Sequence, residues 1–218
     1  MIVSDIQTRV KRQFGDESGV QIADADIIRW INEGQRHIVS TNEGLLEKTA
    51  VSSSQSNIQS YPLPIDILIL QSVSYQDLNQ LSYIKLKAFS MNQFNEYVDG
   101  WDGSTFAPGT PTIFTVFANQ LLIFPIPTLS VPNAFKIFYT RTPTDVVGVT
   151  DTPDLPLLYH DVLVKYCMQQ AYETDANFQG VWFKNNEIAT DISTLRGRND
   201  WKAQANYPVI TVLSEDAY

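Results

Sequence analysis

The chain has 218 residues, 44% of them apolar and 18% charged, which is enough to bury a sizeable core and too apolar for a disordered chain. Its 24 acidic residues outweigh 15 Lys and Arg to give a net charge of −9, which argues against a protein that grips nucleic acid by its phosphates. The longest apolar runs, residues 67–70 and 121–126, are far too short to span a bilayer, and residues 1–14 lack the charged-then-apolar pattern of a secretion signal.

Ser4 is the expected N-cap of a first helix over residues 4–14, with Val3, Ile6, Val10 and Phe14 as its stripe and Gly15 as its end. Asp24 is the expected cap of a second, over residues 24–40, with Ile27, Ile31, Gly34 and Ile38 on one face. A glycine inside a helix costs about 1 kcal/mol against alanine. Gly34 therefore predicts a close approach by another helix.

The pattern then changes to alternation. Residues 46–53 and 58–63 read as two strands around the polar turn Ser54-Gln55-Ser56-Asn57, and residues 67–75 and 83–86 as two more. A short helix follows over residues 89–98, with Phe89, Phe94, Tyr97 and Val98 apolar. Residues 99–110 form a glycine-rich loop carrying Trp101 and Phe106, which either fold back on the sheet or insert into a neighbouring protein. The clearest hairpin joins residues 112–117 to 120–124 through Ala118-Asn119. A last strand spans residues 135–142, and a Pro-rich connector, residues 142–156, leads out of the block.

Two helices follow, over residues 155–174 and 178–195, joined by Asp175-Ala176-Asn177. Leu155, Leu158/Tyr159, Val162/Leu163, Tyr166/Cys167 and Ala171 share a face of the first; Val181/Trp182, Ile188/Ala189, Ile192 and Leu195 share a face of the second. So short a turn makes them antiparallel neighbours. The single cysteine, Cys167, reads as a buried thiol. Arg196, Arg198 and Lys202 complement the dipole at the helix end. In the tail beyond, Tyr207, Pro208, Val209, Ile210, Thr211, Val212 and Leu213 have strand character, and either extend the sheet or join another chain by strand addition.

This order predicts an α+β fold: a four-helix bundle from residues 1–44 and 151–200, an inserted antiparallel β-rich subdomain over 45–150, and an extended C-terminal tail over 201–218.

Catalytic chemistry is sparse. His160-Asp161 has no further ligands at metal-site spacing, so His160 reads as an exposed or capping residue at a helix start, and His37 as a surface one. Asp99-Gly100-Trp101-Asp102-Gly103 lacks the spaced oxygens of a calcium loop and reads as a turn. No phosphate-binding or nucleophile-elbow glycine motif occurs. The expectation is a protein with no enzymatic activity, cofactor or metal.

Several segments in order resemble one family. They are Asp24-x-Asp26-Ile27-Ile28-x-x-Ile31-Asn32, then Tyr61-Pro62-Leu63-Pro64-x-Asp66-Ile67, then Gln120-Leu121-Leu122-Ile123-Phe124-Pro125-x-Pro127 before Phe135-x-Ile137-x-Tyr139-x-Arg141. Last comes Leu155-Pro156-x-x-Tyr159-His160-Asp161-x-Leu163. Together these resemble the head-to-tail connector (adaptor) proteins of tailed bacteriophages, including those called tail tubular protein A. The resemblance implies a structural protein of the virion neck, assembled in the host cytoplasm as a dodecameric ring. Its implied partners are the portal, a tail, nozzle or second neck protein, and double-stranded DNA that passes through the channel without sequence-specific binding. Trp101 and Phe106 in the loop, and Tyr207, Val209, Ile210, Thr211, Val212 and Leu213 in the tail, are the candidate protein contacts. The competing readings are a carbohydrate- or receptor-binding tail module using Trp101, and a metal-dependent hydrolase through His160 and Asp161.

Overall fold

The computed structural model describes residues 1–42, 44–78, 82–98 and 108–204, with side chains through residue 196. The fold is mixed α+β. In chain order the elements are α1 (Val3–Phe14), α2 (Asp24–Thr41), β1 (Glu47–Ser52), β2 (Ser60–Pro62), β3 (Ile67–Tyr75), β4 (Ile84–Lys85), β5 (Lys87–Ala88), α3 (Met91–Tyr97), β6 (Ile113–Phe117), β7 (Gln120–Phe124), β8 (Phe135–Arg141), a 3₁₀ turn (Leu157–Tyr159), α4 (His160–Thr174) and α5 (Phe178–Gln204). The chain divides into two compact units, Met1–Gly44 with Pro143–Tyr218, and Leu45–Thr142.

The first unit is helical. Ile2, not Ser4, precedes α1: its N–H donates to Asp5 Oδ2 at 3.2 Å, which leaves Ser4 inside the first turn. Gly15, at φ +90°, closes the helix by donating its N–H to Lys11 O at 2.9 Å. Asp24 is likewise the first helical residue of α2, with Ala23 as cap, and its carboxylate pairs with Lys11 Nζ at 2.7 Å. Both acidic residues still lie where the helix dipole favours them.

Helix α4 is the centre of this unit, packing against α1, α2 and α5. Val3, Ile6, Val10, Ile27, Trp30 and Ile31 meet Val164, Cys167, Met168 and Ala171 in one buried cluster, which Val146 of the connector also joins. The connector belongs here because its backbone is held by side chains of α2. Asn32 Nδ2 donates to Val146 O and Asn32 Oδ1 accepts from Val146 N–H, both at 2.9 Å; Gln35 Oε1 accepts from Asp154 N–H at 2.6 Å.

The second unit holds two four-stranded sheets, in the orders β1-β8-β3-β4 and β2-β7-β6-β5. Every pair is antiparallel except β5 with β6. Phe135, Ile137 and Tyr139 of β8 and Val73 and Tyr75 of β3 point into a core shared with Tyr61, Phe114, Leu121 and Ile123 of the other sheet. The Tyr61 and Tyr75 rings sit 4.7 and 5.1 Å from that of Phe135. Helix α3, capped by the Ser90 hydroxyl, covers the far face of the second sheet with Phe94 and Val98 against Ile113 and Leu122. Burial on both faces explains why residues 121–124 are a continuous apolar run.

The hairpin β6–β7 turns through Ala118 (φ +48°) and Asn119 (φ +59°), the left-handed pair of a type I′ turn. The expected hairpin of residues 46–53 with 58–63 does not form. β1 pairs with β8 and β2 pairs with β7, in different sheets, and the intervening residues anchor elsewhere: Ser54 N–H donates to Val131 O, and Ser56 Oγ to Thr128 O. The chain enters and leaves this unit on adjoining strands, with Arg141 N–H donating to Leu46 O at 3.1 Å.

Candidate functional site

The joint between α4 and α5 is set by three residues. Ala176 takes φ +54°, Asn177 N–H donates to Tyr172 O, and Asn177 Oδ1 accepts from Gly180 N–H at 3.0 Å, capping the new helix. Helix α4 itself begins later than expected, at His160, because residues 157–159 wind as a 3₁₀ turn that leaves Leu157 and Leu158 exposed. Leu158 is therefore not part of the buried face predicted for it.

Helix α5 turns Ile188 and Ile192 inward, with Val181, Lys184, Asp191 and Leu195 half-buried beside them. Trp182, expected beside Val181 on the buried face, is 68% exposed. One residue on from Val181 is a rotation of about 100°, which carries the indole round to solvent. Phe178 (75%) and Phe183 (55%) are exposed as well. Lone exposed aromatics are ordinary, but three within two turns of one helix mark a contact surface.

The face has a second property. Every exposed residue between Phe178 and Thr194 is uncharged: Gln179, Asn185, Asn186, Ala189, Thr190 and Ser193 accompany the three aromatics and Thr194. The charges of this segment lie at the flank and are paired, Lys184 with Glu187 at 2.7 Å and Asp191 with Lys165 of α4 at 2.6 Å. Trp182, Phe183, Asn186 and Thr190 border an open groove that Lys165, Glu187 and Asp191 also line.

Other titratable groups serve the fold. His160 is buried rather than exposed: its Nε2 bonds Leu155 O at 2.9 Å, while Nδ1 has no partner. Burial pushes its pKa below 6.5, and the Leu155 carbonyl offsets this only in part. The imidazole fills the start of α4 as an apolar ring would, with Asp161 outside it paired to Arg9 at 2.7 Å. Asp16 is buried beneath the loop before α2, accepting from the N–H groups of Val20, Gln21 and Ile22 and from Ser18 Oγ. Burial alone would raise its pKa; these donors together outweigh that and hold it below 3.8. Cys167 is fully buried and its thiol is pushed far up by burial. His37 is exposed, its ring 5.7 Å from that of Tyr166.

No group of three or more His, Cys, Asp or Glu that could hold a metal occurs among the described residues, and no helix among them is long and apolar enough to cross a membrane. The contacts expected from sequence, Trp101 and Phe106 in the loop and Tyr207, Val209, Ile210, Thr211, Val212 and Leu213 in the tail, lie outside the described residues. The aromatic face of α5 was not among those expectations. The signal that marks it is the run of uncharged residues at outward helical positions.

Fold and surface together define a two-unit α+β protein that carries three exposed aromatics within two turns of one helix. The model of the SU10 adaptor protein family matches residues 1–208, and the chain belongs to that family. It is a bacteriophage adaptor, a structural component of the virion. No curated protein sequence matches it.

Proposed function

We propose that this adaptor is a head-to-tail connector of the tail tubular protein A kind. Copies of the chain close into a ring, seat on the portal at one side, receive the tail or a second neck protein at the other, and leave a channel for double-stranded DNA. The observation that carries this reading is the family match over residues 1–208 of 218.

Physical chemistry supports it. A ring repeats one head-to-tail interface, so each copy needs two surfaces of roughly 800 Å². An acidic chain does not adhere to the DNA it must let slide. The packing of α1, α2 and α5 around α4 supports a four-helix frame as the body of the ring. We assign Trp101, Phe106 and the tail residues 207–213 to contacts with the portal or neighbouring copies.

Native mass spectrometry of the purified chain, alone and mixed with its portal, tests the reading. The expected product is a closed multimer on the portal. A chain that stays single in both samples overturns it.

A further inference from the structure

We infer that the uncharged aromatic face of α5 is the seat of a second copy of this chain. The inference rests on the ring reading above and names the surface that would close the ring.

The argument begins with charge. Two copies that each carry −9 repel wherever exposed carboxylates meet. Helices α1, α2 and α4 each expose charged side chains, among them Asp5, Arg36 and Asp161. Between Phe178 and Thr194, the charged residues of α5, Lys184, Glu187 and Asp191, are all half-buried. All are paired within the chain, so covering the face strands no charge. A basic partner would find no unpaired carboxylate here, because Glu187 and Asp191 line the groove already held by Lys184 and Lys165. An equally acidic copy would find a surface it can approach.

Chemistry and size point the same way. Phe178, Trp182 and Phe183 supply the large rigid anchors on which interface energy concentrates, and the Asn and Thr side chains beside them supply an uncharged polar rim. The face is about 25 Å long at 1.5 Å per residue. One helix face of that length buries less than the roughly 800 Å² per partner of a stable pair. The contact is thus weak between two free copies and holds where closure lets each copy make it on both sides.

The test places a benzoylphenylalanine photocrosslinker at Asn186, in the middle of the face, and irradiates the protein assembled with its portal. The expected product has twice the 24.6 kDa chain mass and contains only peptides of this chain. A second arm uses the double variant Phe178→Ala/Trp182→Ala. Both side chains are exposed, so its melting temperature and circular dichroism should match wild type, while its assembly weakens by more than about tenfold. Rings that form while the probe links only to another protein, or to nothing, overturn the inference and leave the ring reading standing. So does a double variant that assembles as wild type does. A wild-type chain that never exceeds one copy with the portal overturns both.

Discussion

Gly34 of α2 faces Tyr166 of α4 so closely that a Cβ on the glycine would stand 2.9 Å from Tyr166 Cδ1 and 3.0 Å from Leu163 Cδ2. The contact repeats on the other side of α4, where a Cβ on Gly180 of α5 would lie 2.8 Å from Tyr172 Cγ. Each glycine makes room for the base of a tyrosine ring, which cannot swing aside as a long flexible side chain would. Gly34→Ala should therefore destabilise the helical unit by about 1–2 kcal/mol. The overpacking penalty of about 1–3 kcal/mol exceeds the gain of about 1 kcal/mol in helix propensity. Urea denaturation followed by circular dichroism checks this; a variant more stable than wild type would refute the close fit.

His160 makes stability depend on pH. Its folded-state pKa lies below the 6.5 of the free side chain, so the unfolded chain takes up the proton first. Stability is full above pH 6.5 and falls as the pH drops from there through the lower folded-state value. Thermal melts between pH 7.5 and 5 should show the decline, and His160→Phe should flatten it. Equal pH dependence in both proteins would remove His160 as its source.

Asp16 acts further down the pH scale. Its folded-state pKa is also depressed, so its contribution is present above pH 3.8 and is lost as the pH falls through the folded value. Asp16→Ala leaves the N–H groups of Val20, Gln21 and Ile22 without their acceptor. Hydrogen exchange at those amides should quicken while exchange in the β unit stays unchanged. Unaltered protection would show that the loop holds without the carboxylate.

The turn at Ala118 stores strain that can be released. A left-handed conformation costs an L residue about 1–2 kcal/mol, against the roughly 0.5–1 kcal/mol of extra chain entropy that glycine brings. Ala118→Gly should thus raise the stability of the β unit by up to about 1 kcal/mol, read as a higher urea midpoint with an unchanged slope.

Local chemistry was the most legible part of this sequence. The strand Ile67–Tyr75, the tight turn at Ala118-Asn119 and the room beside Gly34 all follow from residue type and period. Partnership was not legible. Alternation in residues 46–53 says that they form a strand, yet Glu47 pairs with Thr140, far along the chain, and not with its neighbour in sequence. Helical spacing has a similar limit, since adjacent residues such as Val181 and Trp182 both fit a stripe until packing fixes the rotation. The same limit hid the buried state of His160, whose small polar ring gives no periodic signal. For the surface, the aromatic content pointed to interfaces, but reading Trp182 as core concealed the helix on which three aromatics are exposed.

The hydrogen bond between Arg141 and Leu46 holds the two ends of the β unit's chain side by side. Both ends of its chain pass through neighbouring strands, so a module of another length or shape spliced between those two residues would find its ends already side by side. The length of the insert can thus vary while the gap it must bridge stays the same.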